Sequence, residues 1–206
     1  MSRYTLAPAA AALCLAASMA LAQDTSDGVE ARDLPAPDAS PSIGCTLTAD
    51  AILAGDAPDI LGTYQTFMGV GVATMSGRTV PLPDQGTAEP TTLSMVNDAL
   101  FISGGPVFEG EVELRAWRDG LNFDLPEGSP LAPEDVAQND QISAEAGCDI
   151  DTLPQLQGGG SYTGPEGEVD FDLYFVVLSQ RLIYGITVGT LNGGEGVARR
   201  IVELRR

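Results

Sequence analysis

From Val169 to Leu204 the chain carries its densest run of β-branched and aromatic residues, in three blocks: Val169–Leu178, Arg181–Val188 and Gly196–Leu204. Ser179-Gln180 and Asn192-Gly193-Gly194 separate them. Asn-Gly favours a two-residue hairpin, because a type I′ turn demands positive φ at both central positions. The pattern predicts an antiparallel meander. Upstream, Gly62–Thr74 and Arg78–Leu82 are expected to pair across Ser76-Gly77, and Thr92–Val96 with Ala99–Ser103 across Asn97-Asp98, two residues that tolerate the left-handed region. Ser103-Gly104-Gly105-Pro106 then turns the chain into a strand over Val107–Trp117. The sum is about eight strands, enough to close an antiparallel β-barrel or to stack a sandwich. Gln157-Gly158-Gly159-Gly160 reads as a flexible turn leading into a strand. Helix is minor: Thr48 is placed to cap Ala49–Ala54 with Gly55 as the stop, and Pro133 to open a short helix through Gln138.

An internal echo runs beneath this pattern. Gly44-Cys45 leads to Gly62-Thr63-Tyr64, and Gly147-Cys148 leads to Gly160-Ser161-Tyr162, which suggests two half-domains of similar build. A second echo, Glu109–Leu114 against Glu166–Phe171, falls in a different register, so the two do not belong to one simple alignment. Short alternating runs recur in any β protein, and convergent strand patterning explains the likeness equally well.

The N-terminus changes the picture of where the chain works. Met1–Ala22 has the form of a secretory signal peptide: Arg3 in a basic n-region, an apolar run to Leu21, and Ala20-Leu21-Ala22 as a cleavage site. The apolar run is too short for a membrane span, which takes ~20 apolar residues. Residues 23–44 are acidic, rich in proline and without aromatics, the composition of a disordered linker. The remainder, 45–206, is expected to form a single all-β domain in the periplasm or outside the cell. Of three cysteines, Cys14 leaves with the signal; Cys45 and Cys148 form an even pair, which in an oxidising compartment predicts one disulfide.

Charge narrows the partners. Ten basic residues, all arginine, stand against 29 acidic ones, for a net charge of −19. So acidic a surface repels phosphate backbones and anionic lipid, which argues against nucleic-acid or membrane-surface roles. It suits a solvated exterior, or a basic partner. Histidine and lysine are both absent, so a nucleophilic hydrolase would lack its usual base, and no Ser lies in a G-x-S-x-G turn. No phosphate-loop pattern follows Gly158–Gly160, and no cofactor is expected.

Two constellations remain. In a strand, residues i and i+2 share a face. Glu109, Glu111 and Glu113 therefore line up, as do Glu166, Glu168, Asp170 and Asp172, with Val112, Leu114, Val169, Phe171 and Leu173 turned to the core. Such a ladder offers oxygen ligands to Ca²⁺, and carboxylates ~7 Å apart fall within the spacing of an inverting glycosidase. Yet i, i+2 side chains stand parallel on one wall, whereas that chemistry needs groups facing each other across a substrate. The plainer reading is the wet face of a half-buried sheet. An outer-membrane barrel, which presents apolar residues to lipid, is not expected with these acids turned outward. The second constellation is aromatic: Tyr64, Phe101, Trp117, Tyr162 and Tyr174, candidate contacts for a ligand held between strands. Trp117 sits between Arg115 and Arg118, an arrangement as suited to packing as to stacking on a ligand. Arg199-Arg200 and Arg205-Arg206 form the basic cluster, expected to dock on the chain's own acidic ladder rather than on an anionic partner.

Gly62-Thr63-Tyr64 at the start of a first long strand, followed by a meander, is loosely similar to lipocalin-type barrels, with tyrosine where that family has tryptophan. The resemblance implies a small apolar ligand in the barrel mouth. The expected function is thus a non-enzymatic exported domain, either binding a small ligand or serving as an accessory to an envelope protein. A carboxylate-dependent hydrolase and a Ca²⁺-stabilised structural module are the alternatives.

Overall fold

The computed structural model describes residues 43–105, 110–164 and 167–206. The expected signal segment, almost all of the linker, Glu109 and Glu166 lie outside the described residues. Among the described residues nine strands follow in order: β1 (Gly62–Met75), β2 (Arg78–Leu82), β3 (Ala88–Val96), β4 (Ala99–Gly104), β5 (Glu111–Ala116), β6 (Gln155–Gly164), β7 (Gly167–Val177), β8 (Leu182–Leu191) and β9 (Gly196–Arg205). All pairings are antiparallel, and β9 returns to pair with β1. Eight strands therefore close a barrel, and β2 is an extra strand on the far half of β1.

The turns work as their residues dictate. Asn97 and Asp98 both take positive φ (50° and 62°) between β3 and β4, as do Asn192 and Gly193 (46° and 67°) between β8 and β9. Midway along β1 the register against β9 shifts between Met68 and Gly71. Before the shift β1 pairs with β3; after it, with β2. A Cβ on Gly71 would lie 2.2 Å from the Arg199 carbonyl oxygen, so β1 approaches β9 there more closely than any side chain permits.

Four barrel strands precede the β5–β6 connection and four follow it, each set opened by a cysteine-bearing 3₁₀ segment or turn. The expected echo differs in register: Gly62-Thr63-Tyr64 begins β1, whereas Gly160-Ser161-Tyr162 lies late in β6. The strand β6 itself is the main departure from the sequence reading. Gln157–Gly160, expected as a turn, is ladder, paired with β7 from Gln155 to Gly164. The glycines are there because bulky neighbours fill the space beside them. A Cβ on Gly158 would stand 2.9 Å from the methyls of Val112 and Leu114, and one on Gly160 3.1 Å from the Phe171 ring.

Two apolar cores result. The first fills the barrel: Tyr64, Met68, Leu93, Leu100, Ile102, Val112, Leu114, Leu156, Phe171, Leu173, Phe175, Val177, Ile183, Val202 and Leu204. Helix α1 (Ala49–Leu53), capped by the Thr48 hydroxyl on the Ala51 N–H, and the 3₁₀ turn Pro58–Ile60 add Ile52, Ala57 and Ile60 to the same cluster. The second core lies outside the barrel. The β5–β6 connection packs Phe123, Val136, Ile142, Ala146, Ile150 and Leu153 onto the outward side chains Val176, Leu178, Leu182, Tyr184 and Ile201. Each fully buried side chain of this kind contributes about 1.5–3 kcal/mol relative to exposure.

That connection carries helix α2 (Asn139–Ala146). It starts later than the sequence suggests. Pro133 opens only a 3₁₀ turn, Pro133–Asp135, and the helix begins after Gln138, whose backbone N–H donates to the Gln141 side chain in a capping box. Gly147 closes it in the left-handed region (φ 79°). The expected disulfide is present: Cys45, ahead of α1, is bonded to Cys148, just past α2, with Cα atoms 5.9 Å apart.

One seam of the barrel is only partly laced. β5 and β6 are in register at Arg115↔Gln157 and Ala116↔Leu156, and the Trp117 N–H donates to the Gln155 carbonyl at 2.9 Å. The strands stay close one step further, the Glu113 carbonyl oxygen lying 3.0 Å from where a Cβ on Gly158 would stand. Gly160 and Tyr162, on the inward register toward the other end of β6, are exposed.

Candidate functional site

The barrel interior is graded from apolar to polar. At the α1 end Tyr64 is 1 % exposed, and its hydroxyl donates to the Ile60 carbonyl at 2.8 Å. The Gln180 carbonyl lies 3.2 Å from the same hydroxyl. Burial pushes the Tyr64 phenol up to about 12, against an opposing pull from Arg206. The Arg206 guanidinium lies over the ring, 4.1 Å from its centre, and donates to the carbonyls of Asp59, Ile60 and Leu61. Further along, the interior turns polar: the Thr66 hydroxyl donates to the Thr91 hydroxyl at 2.6 Å, and Thr187 is buried. Arg200 shares the inward register with Val202 and Leu204 and donates to the carbonyls of Gly69 (2.8 Å) and Pro83 (2.7 Å). Burial lowers its pKa from the ordinary guanidinium value, and the charge of Asp84 opposes that shift.

The five aromatic candidates fall in separate places. Tyr64 is inside at the α1 end. Tyr162 is on the inward register at the opposite end of the barrel, 41 % exposed, with its ring centre 6.3 Å from that of Phe171. Phe101 lies half-buried on the outer face, between Ser94 and Glu113 on the flanking strands. Trp117 and Tyr174 meet on the outside, edge to face at 5.0 Å. The Tyr174 phenol is raised by burial and by the charge of Asp172, and lowered by Arg199. The fold thus brings Trp117 to Tyr174 and gathers no common lining from the five.

The arginines beside Trp117 are tied to acids: Arg115 to Glu113 at 3.2 Å, and Arg118 to both oxygens of Asp50 on α1, at 2.8 and 3.1 Å. The tryptophan indole N–H donates to the Gly120 carbonyl. Three of the four C-terminal arginines bond elsewhere than on the acidic ladder, whereas Arg199 and Asp172 of that ladder both act on the Tyr174 phenol. Arg200 and Arg206 bond backbone carbonyls, and Arg205 pairs with Glu203, two residues back on its own strand. Backbone carbonyls at a strand shift and at a 3₁₀ end need donors, and a guanidinium carries five in a fork.

The carboxylates stand where alternation puts them. Glu111 and Glu113 are on the outside of β5, and Glu168, Asp170 and Asp172 on the outside of β7, with Val112, Leu114, Phe171 and Leu173 buried behind. β6 runs between the two acidic rows and shows only Gly159, Ser161 and Thr163 on that face. Among the described residues no three acidic or sulfur side chains come together closely enough to hold a metal ion. The two rows stand side by side on one convex wall.

Sequence reasoning missed Arg200 and Arg206 as inward or capping groups. The available signal was their parity, since Arg200, Val202, Leu204 and Arg206 alternate with Ile201, Glu203 and Arg205. Among the described residues no helix is long and apolar enough to cross a membrane. No family model matches the chain.

Proposed function

We propose that this chain is an exported, non-catalytic accessory domain of the cell envelope or exterior that acts through its outer surface, with the barrel interior serving as its core. The observation that carries the reading is how that interior is occupied. The space opposite Gly158 is taken by Val112 and Leu114, that opposite Gly160 by Phe171, and that opposite Gly185 by Phe175, 2.6 Å from where a Cβ would stand. A small apolar ligand of the kind held by lipocalin-type barrels would have to displace these side chains. The Cys45–Cys148 disulfide supports an oxidising compartment, in keeping with the signal-like segment Met1–Ala22. The parallel placement of the carboxylates favours a binding surface over a two-carboxylate hydrolase, whose acids face each other across the substrate.

Native mass spectrometry of the mature protein purified from the periplasm of its host tests this reading. The expected result is bare protein, lighter than the reduced chain by the hydrogens of one disulfide. An organic molecule retained one-to-one would overturn it in favour of a ligand-binding barrel, and a stoichiometric calcium adduct in favour of a metal-stabilised module.

A further inference from the structure

We infer that the outer edge of β2 is the interface of a two-fold dimer, in which β2 pairs antiparallel with β2 of a second copy. β2 stands outside the closed barrel, and among the described residues its ladder partner is β1 alone. The turn that leads into β2 fixes the phase of its hydrogen bonds. Ser76 and Gly77 both take positive φ (51° and 75°), so Met75 and Arg78 close a two-residue hairpin as a hydrogen-bonded pair. Bonded and non-bonded pairs alternate along an antiparallel ladder. Val80 therefore bonds Ala73, while the backbone groups of Thr79 and Pro81 point away from β1. Pro81 fits that phase, because the N–H it lacks is one that β1 does not use. Arg78, Thr79, Val80 and Pro81 are all exposed, and a Cβ on Gly77 would meet nothing within 4 Å. A strand edge left open in this way is a template for pairing with another chain.

Charge and side chains name the occupant. From Gly62 to Pro83 the chain has no acid, and Arg78 is its one charged residue, in a protein of net charge −19. Two copies meet here with less repulsion than across the acidic faces of β5 and β7. Met75 and Val80, each 47 % exposed, lie on one face of the hairpin as diagonal neighbours. A two-fold axis at Val80 sets the two valines opposite each other at the non-hydrogen-bonded spacing of about 4.5 Å, with Met75 flanking them on either side. In that register each Thr79 N–H donates to the Pro81 carbonyl of the second copy. Each Arg78 lays its aliphatic stem against Leu82 of the second copy, and on the opposite face Thr79 meets Pro81. A register centred on Thr79 makes as many bonds but sets the two Arg78 side chains diagonally together, which their like charge opposes. Strands of five residues bury less than the ~1,200 Å² of a stable interface, so the dimer is weak and forms as concentration rises.

Sedimentation velocity on the mature protein, over a concentration series up to ~1 mM, tests this. The weight-average mass is expected to climb from monomer toward dimer, and to climb further at higher salt, which screens the acidic surfaces of the two copies. Pro81→Thr supplies the missing N–H to the Thr79 carbonyl across the two-fold and should tighten the dimer by about tenfold. Val80→Lys sets two like charges opposite each other and should weaken it by about tenfold or more, with the melting temperature of the monomer preserved because the site is exposed. Should Pro81→Thr fail to fold, Thr79→Pro is the second backbone probe: it removes the outward N–H, keeps the bonds to β1, and should leave the protein monomeric. A monomer at every concentration would overturn the inference. So would a dimer of equal strength in the parent and in these variants, because its interface would then lie elsewhere on the molecule.

Discussion

Arg206, just past β9, ties the end of that strand to the turn that precedes β1, and its replacement should lower the stability of the domain. It donates to three carbonyls at the end of the Pro58–Ile60 turn and covers the Tyr64 ring at 4.1 Å. Its own backbone N–H is bonded to the Arg181 carbonyl. Arg206→Met keeps an apolar stem and removes the cation. Water can reach the freed carbonyls, because Arg206 is exposed, so each lost bond is worth the lower part of its range, about 0.5–1 kcal/mol. The contact with the ring adds about 0.5–1 kcal/mol. The total is about 2–4 kcal/mol, which for a domain of this size lowers the melting temperature by roughly 4–16 °C. Calorimetric melts of the parent, Arg206→Met, Tyr64→Leu and the double variant form a cycle whose coupling should be about 0.5–1 kcal/mol for the ring contact. If Arg206→Met melts within about 1 °C of the parent, where the estimate above requires several degrees, the carbonyls are satisfied by water alone and the reasoning fails.

Three further outcomes follow from the same structure. Replacing Cys45 and Cys148 by serine opens a link across 103 residues, and the chain-entropy model puts the loss at up to ~4–5 kcal/mol; a reductant should reproduce the shift in the parent and leave the double variant unmoved. Burial pushes the Tyr64 phenol up to about 12 in the folded protein against 10.0 for an ordinary tyrosine, so its share of stability is intact below pH 10.0 and is lost as pH climbs toward 12; urea melts across that interval should show a decline, and Tyr64→Phe should lessen it, leaving the part that comes from the likewise raised Tyr184 and Tyr174 phenols. Gly185→Ala places a methyl 2.3 Å from the Tyr174 carbonyl oxygen and 2.6 Å from the Phe175 ring, and should cost about 1–3 kcal/mol or more, where the same change at Gly193, with open space around it, costs only its backbone strain; equal melting temperatures for the two would show that the interior is looser than its contacts imply.

Much of the frame was legible in the chain. Turn chemistry placed the Asn97-Asp98 and Asn192-Gly193 hairpins, because few residue pairs tolerate two successive positive φ values. Period-two alternation put Glu111 and Glu113 outside and Val112 and Leu114 inside, because a strand has no other way to divide water from core. Thr48 began α1 by the same local logic. Even the second core had a trace: Leu173–Leu178 is apolar on both faces, as a strand covered on both sides must be.

What the sequence by itself determined is therefore whatever a residue and its near neighbours settle: strand phase, turn positions, the acidic exterior and the pairing of two cysteines. Tertiary structure decided the rest. Gln157–Gly160 looked like a turn because glycine favours one; it is a strand because Val112, Leu114 and Phe171, distant in sequence, fill the space its side chains would need. Closure into a barrel required β9 to meet β1 across a register shift, which no local pattern encodes. Whether Tyr64, Phe101, Trp117, Tyr162 and Tyr174 share a site depends on which strand ends lie together. Both are properties of non-local packing, to which many chain segments contribute at once.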